Sequence, residues 1–288
     1  MKGGVGKTTT VVSLAETLAA DDLDAAVLVI DLDPQASASL CLAGDDVLAD
    51  MIEGGRTLQD FLEMRLLNPG QGKPLSGFIR SHYSYTTHRN RPLNISLLPC
   101  GPGLRQLERE IVYRLTQQGF SMNSIEGRMW RLFASYFAPL RKDFDYVVFD
   151  CPPGISPFSE VAIRGSDLIV VPTIPDQISN FGLNAFCNEI WHSGLTSLPT
   201  PPKPFVLATR VQPTTQHRHM LERFTVETTY PDAAFRLLET RIPQAAGLAA
   251  ALVSTGVQPY TRKYSDDIVQ KLAALTAEIK GALHAGRD

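Results

Sequence analysis

Nowhere does the chain hold about 18 consecutive apolar residues, the least that a membrane-spanning helix needs. Its first residues contain no apolar signal region either, so a cytoplasmic protein is expected. Cysteine is scarce: Cys41, Cys100, Cys151 and Cys187 lie far apart and form no CxxC pair. That spacing offers neither a zinc cage nor a disulfide framework, and reduced, mostly buried thiols are expected. An excess of positive charge is also lacking, since the formal net charge is −3, which argues against a generally basic nucleic-acid protein. Acids, however, are missing locally. Between Glu63 and Glu108 none occurs, while Arg65, Lys73, Arg80, Arg89, Arg91 and Arg105 do, and such a local excess can attract phosphate backbones. No internal repeat and no N-terminal helix-turn-helix pattern is visible, so operator reading is not expected.

What is present is an α/β pattern. The 288 residues are 44% hydrophobic and 20% charged, ordinary values for a chain with a sizeable core, and one domain over 1–288 is expected. Val11, Leu14, Ala15 and Leu18 recur at helical spacing, which puts an apolar stripe against a sheet. Residues 25–30 form a near-continuous apolar run, as a parallel strand covered on both faces requires. Further strands are expected at 94–98, 146–150, 168–171, 205–209 and 237–242. Helices are expected at 104–115, 125–140, 177–192, 214–226, 244–254 and 265–284. That alternation predicts a doubly wound, mostly parallel sheet with helices on both faces. Residues 69–91, rich in Gly, Pro, Ser, Thr and Asn, read as a long loop.

The most informative stretch lies at the start. Lys2-Gly3-Gly4-Val5-Gly6-Lys7-Thr8-Thr9 ends in the Gly-Lys-Thr of a phosphate-binding loop, with a helix directly after it. Glycines let successive backbone N–H groups converge, the helix adds the positive end of its dipole, and Lys7 adds a full charge. Two carboxylate-bearing strand ends accompany it. Asp31-Leu32-Asp33-Pro34-Gln35 closes one apolar run, and Asp150-Cys151-Pro152-Pro153-Gly154 closes another. Ligands of open α/β sheets gather at the carboxyl ends of strands, so these aspartates should lie near bound phosphates.

Lys2 before Gly3-Gly4, together with Lys7 before Thr8-Thr9, resembles the deviant P-loop of the ParA/MinD family of partition and positioning ATPases. The strings at Asp31 and Asp150, and weakly Arg241-Ile242-Pro243, extend the resemblance over nearly the whole chain. It implies a P-loop NTPase fold of the SIMIBI type, with ATP and Mg2+ as cofactors. By this resemblance Gly4 to Lys7 hold the β and γ phosphates, Thr9 reaches the α-phosphate, and Thr8 ligates magnesium with Asp31 and Asp150 acting through its waters. Asp33 orients the attacking water, Lys2 stabilises charge across a dimer, and Arg210 and Pro243 flank the adenine. Thr209 stands where the family often has asparagine. Cys151, inside the ParA-like Asp-Cys-Pro-Pro string, is not read as a cluster ligand of the nitrogenase iron-protein kind.

In the ParA branch, which the chain resembles most, ATP joins two subunits and the homodimer coats DNA without reading sequence. Hydrolysis, stimulated by a ParB-like centromere-binding partner, releases it, so a nucleoid-associated protein is implied. Arg210, Arg218, Arg223, Arg236, Arg262 and Lys263, with Arg80, Arg89 and Arg91, are the basic candidates. A MinD-type or cellulose-synthesis-type positioning ATPase is the alternative, with Ile268, Leu272, Leu275, Ile279 and Leu283 as a membrane-facing stripe; core packing is the other reading of that stripe. A metabolic enzyme on the same fold and an inactive remnant are further alternatives. The resemblance also implies a central strand ahead of Lys2, which this sequence does not contain; a start assigned at an internal methionine, or a truncated gene, would account for it.

Overall fold

The structure, a computed structural model, describes residues 4–67, 72–81, 84–192, 198–252 and 256–285. In chain order the elements begin with α1 (Lys7–Asp21), β1 (Val27–Asp31), α2 (Ser37–Glu53) and α3 (Leu58–Leu66). A small hairpin of β2 (Thr86–His88) and β3 (Arg91–Pro92) leads to β4 (Ile95–Leu98), α4 (Leu104–Gln117) and α5 (Met122–Tyr136). Then come β5 (Tyr146–Asp150), α6 (Pro157–Gly165), β6 (Val170–Thr173), α7 (Gln177–Cys187), β7 (Phe205–Val211) and α8 (Thr215–Glu227). The chain closes with β8 (Arg236–Pro243), α9 (Ala246–Ala251), β9 (Gln258–Pro259), α10 (Tyr260–Lys263) and α11 (Asp266–Ala285).

The principal strands form two parallel halves, β4-β1-β5 and β6-β7-β8. Parallel neighbours need a crossover, and helices supply it, covering both faces. The period-two alternation of β1 makes this visible. Val27 and Val29 pack with α1, α2 and α11, whereas Leu28 and Ile30 point the other way, into the layer of α3 to α6. All five β1 residues are buried. A third core cluster joins β6 and β7 to α7 and α8. The doubly wound, mostly parallel arrangement is therefore present.

Leu104, Leu107, Ile111 and Leu115 are the buried face of α4, as their spacing requires. Met129, Phe133 and Phe137 are core, with Trp130 packed partly buried beside them. The stripe of α11 is core as well: Ile268, Leu272, Leu275 and Ile279 are buried against α1 and β8. That burial removes the membrane-facing reading of the stripe. No described helix is long and apolar enough to cross a membrane.

Two expectations need correction. The stretch 69–91 is only partly loop: Leu75–Gly77 is a 3-10 turn, and β2 pairs antiparallel with β3 and parallel with β9. Runs so short carry no readable alternation. Lys263, one of the basic candidates, is no surface charge. Its side chain is 4% exposed, and its Nζ donates to Glu16 Oε1 at 2.7 Å. Glu16 also accepts from the hydroxyls of Thr86 (2.6 Å) and Tyr264 (2.6 Å), and Thr17 and Tyr260 share a hydrogen bond on the same flank. This buried network ties the middle of α1 to β2 and α10. Removing one partner of such a pair is costly, because the other charge is left buried and alone.

Candidate functional site

Lys2 and Gly3 lie outside the described residues. From Gly4 onward the loop is built as a nest at the head of α1. Gly4 has φ +76° and Gly6 has φ +89°, both in the left-handed region that a side chain resists, so glycine is needed at these two turns. Gly6 caps α1, and its carbonyl accepts from both the backbone N–H and the hydroxyl of Thr10, each at 2.8 Å. The first turn of α1 contains no acid, so the positive end of the helix dipole is not neutralised from within. Lys7, Thr8 and Thr9 occupy that first turn and are half-buried.

The loop is gripped from the opposite half-sheet. At the carboxyl end of β7 the buried Thr209 hydroxyl donates to the Val5 carbonyl (2.7 Å), and Arg210 Nη1 donates to the Gly4 carbonyl (2.8 Å). With these two carbonyls held from behind, the loop keeps a fixed shape, and backbone amides are free to converge on an anion. Arg210 itself has φ +51°, so its backbone is strained in order to aim this side chain. The position expected beside a base thus also clamps the loop. Pro243, at the end of β8, aligns with Val211 at the same end of this half-sheet and is half-buried. Thr209 was not among the expected site residues. The available signal was a lone hydroxyl at the end of an apolar strand.

The carboxylates stand side by side. β1 and β5 pair in parallel with Asp31 opposite Asp150, so both acids emerge at the same strand end. Asp31 is fully buried and held by its own loop: Oδ1 accepts from the Asp33 N–H (3.0 Å), and Oδ2 accepts from the Ser39 N–H (2.9 Å) and hydroxyl (2.7 Å). Ser39 sits on α2, a helix that the sequence pattern did not reveal. Asp150 accepts the Thr8 hydroxyl at 2.8 Å through Oδ2, across 142 positions of sequence. Asp33 is half-buried, and its Oδ1 accepts the Gln35 N–H at 3.0 Å, which fixes the turn into α2.

Burial shapes the electrostatics. It pushes Asp31 up to about 6, against the pull of the two Ser39 bonds, and pushes Asp150 up to about 7. The Asp31 charge raises Asp150 further, while the Thr8 bond and the Lys7 charge pull it back. Among the described residues, the hydrogen bonds to both carboxylates come from uncharged donors. Two buried carboxyls beside one threonine hydroxyl, with no cation bonded to either, form an oxygen donor set suited to a hard divalent ion. The nest a few residues away suits phosphate. The residues therefore fit a magnesium-bound nucleotide. Half-buried Cys151, next in the chain, is pushed up to about 12 by burial and then by Asp150, which makes it an inert thiol.

Comparison with known proteins agrees with this geometry. Residues 1–194 match the family model described as AAA domain. The chromosome partitioning protein ParA of Myxococcus xanthus is 28% identical over 189 residues, which is 66% of this chain and 55% of that protein. This chain thus spans little more than half the length of that relative. Among solved structures, a plasmid partition protein of Borrelia burgdorferi bound to AMPPNP superposes with a TM-score of 0.65 at 19% identity, over 97% of this chain and 96% of that one. The pNOB8 ParA bound to nonspecific DNA gives a TM-score of 0.63 at 18% identity, over 99% and 96%. At such identities the structural likeness concerns the fold. The family match over two thirds of the sequence, joined to the loop and its paired aspartates, places the chain in the AAA domain family as a ParA/MinD-like P-loop ATPase of the partition branch.

Proposed function

We propose that this chain binds ATP with Mg2+, dimerises upon it, and hydrolyses it slowly as a switch that serves plasmid or chromosome partitioning. The observation that carries the reading is the Thr8–Asp150 hydrogen bond beneath the Gly4–Gly6 nest, with Asp31 in register beside it. Magnesium, when bound, would supply positive charge against the phosphates. The chain's own parts then act by positioning. The amides from Gly4 to Lys7 and the Lys7 ammonium hold the β and γ phosphates, and Thr9 reaches the α-phosphate. Thr8, bonded here to Asp150, would ligate the metal, with Asp150 and Asp31 acting through its waters. Asp33, at the turn into α2, orients the attacking water. Lys2 stabilises charge from the partner subunit's side, and Arg210 and Pro243 border the base.

The Borrelia protein holds AMPPNP and pNOB8 ParA holds nonspecific DNA, which supports nucleotide and DNA as ligands here. On this chain Arg210, at the carboxyl end of β7, and Arg218 and Arg223 of the following α8 are exposed and form the proposed phosphate-backbone face, whereas Arg236 opens β8 at the opposite end of that half. Release follows hydrolysis stimulated by a ParB-like partner, and the protein is cytoplasmic and nucleoid-associated. Burial of the α11 stripe weighs against the membrane-positioning alternative. Sedimentation with ATP tests the switch. The chain should dimerise with ATP and not with ADP, and Asp33→Ala should trap the dimer. Normal cycling of Asp33→Ala would overturn its role, and DNA binding unchanged by salt would overturn the backbone mode.

A further inference from the structure

One half-buried acid has no part in the site described above. Glu108, on the second turn of α4, reaches the start of α6, 50 positions later in the chain. The first turn of a helix leaves backbone N–H groups without partners inside it, and at α6 each is accounted for. The Ser156 N–H donates to Ser159 Oγ (2.7 Å), the Ser159 N–H donates to Ser156 Oγ (3.3 Å), and Pro157 has no N–H to place. That leaves Phe158. Its N–H donates to Glu108 Oε1 at 3.5 Å, and the Ser156 hydroxyl bonds the same carboxyl. Burial raises Glu108 above its ordinary value, while these two bonds and the Arg105 charge pull it back.

What this contact anchors is the segment between β5 and α6. Among the described residues, 151–155 neither donate nor accept a hydrogen bond. Pro152 and Pro153 have no N–H, and Gly154 stands at φ +110°, with nothing within 4 Å of where a side chain would begin. On the α4 side a cavity of about 600 Å3 lies against the segment, with Val112 and Tyr113 across from Pro152, Pro153 and Ile155. The segment is therefore held at its two ends. One end is Asp150, which belongs to the β1–β5 ladder and accepts the Thr8 hydroxyl of the phosphate loop. The other is the first turn of α6, to which, among the described residues, Glu108 supplies the hydrogen bonds from α4.

We infer that Glu108 is a positioning residue for the nucleotide site: by holding the first turn of α6 it sets the course of residues 151–155, which run back to Asp150 beside Thr8. The inference rests on the nucleotide reading and adds to it a residue that acts only through this segment. A misplacement of about 1 Å caused from outside a reacting centre lowers turnover by as much as about a hundredfold, so a contact at this remove is enough to matter.

Glu108→Ala and Glu108→Gln in the full chain test it. Glutamine keeps an oxygen for the Phe158 N–H, whereas alanine leaves that donor alone. Magnesium-AMPPNP should bind both variants within about twofold of the parent by calorimetry, since Lys7, Thr8 and Asp150 are untouched. Single-turnover phosphate release from ATP should fall about tenfold or more in Glu108→Ala and stay within about threefold of the parent in Glu108→Gln. Without nucleotide, amide exchange at Ser156, Phe158 and Ser159 should quicken about fivefold or more in Glu108→Ala and stay unchanged in β1. Parental phosphate release in Glu108→Ala would overturn the inference. So would glutamine that rescues no better than alanine, or losses of AMPPNP affinity and melting temperature that track the loss of turnover, the pattern of a purely structural role. A parent that binds no magnesium-AMPPNP would instead strike the nucleotide reading, and the nucleotide-free exchange would still decide whether Glu108 holds the segment.

Discussion

Helix α1 has a buried carboxylate arrangement on each of two flanks, and the two are finished to different degrees. Midway along it, Glu16 receives the Lys263 ammonium and the hydroxyls of Thr86 and Tyr264. At its head, Asp150 receives one threonine hydroxyl and faces Asp31 in register, and burial has pushed both acids far above the ordinary carboxylate range. The first arrangement is complete within the chain and holds α1 in place. The second is left short of positive charge, the condition expected of a site whose missing partner is a ligand. Stability and function are thus built from the same side-chain chemistry, separated by whether the chain supplies the cation.

Breaking the finished cluster should have the largest effect. Lys263→Met strands Glu16 without its cation and should cost about 3–5 kcal/mol in denaturant unfolding, while the folded fraction binds Mg-ATP with unchanged affinity. Asp150→Asn tests the unfinished site with the opposite sign. Removing a carboxyl that folding disfavours should raise the stability of the nucleotide-free chain at pH 7.5 by about 1–3 kcal/mol, and weaken Mg-ATP at least a hundredfold by calorimetry.

The smallest effect is a slope with pH. Asp31 and Asp150 have folded-state values of about 6 and about 7, above the 3.8 of the unfolded chain. Between pH 4 and pH 7 the folded state therefore binds more protons than the unfolded one. The stability that these two groups contribute is complete below about 3.8, and it is lost as pH rises through 6 and 7. Each group adds at most about 1.4 kcal/mol per pH unit. Unfolding curves across that range should show a shallower fall for Asp150→Asn than for the parent, and a shallower fall for the parent with Mg-ATP than without.

Much of this was legible in residues alone. The strands ending in Asp31 and Asp150 are continuous apolar runs closed by an acid, and β5 begins and ends where the pattern put it, at Tyr146 and Asp150. The loop from Gly4 to Thr8 is written in residue types that few other structures need. Helix α2 was not visible, because half of its buried residues are small, Ala38, Ser39 and Ala43, and Gly44 kinks it. Lys263 was misjudged because a lysine is by default a surface charge, and its partner lies 247 positions away. The grip of Thr209 on Val5 has the same origin: contact between distant segments leaves no local period.

The central claim is that the Gly4–Thr8 nest and the Asp31–Asp150 pair together form one site for a magnesium-bound nucleotide. Calorimetric titration of the full chain with ATP at pH 7, with and without magnesium and in buffers of different ionisation enthalpy, tests it most directly. The account predicts one ATP per chain, an affinity that depends on magnesium, loss of binding in Lys7→Ala, and protons released as Asp150 ionises toward the metal. Binding that is equally tight in a chelator, or indifferent to Lys7→Ala, would contradict it.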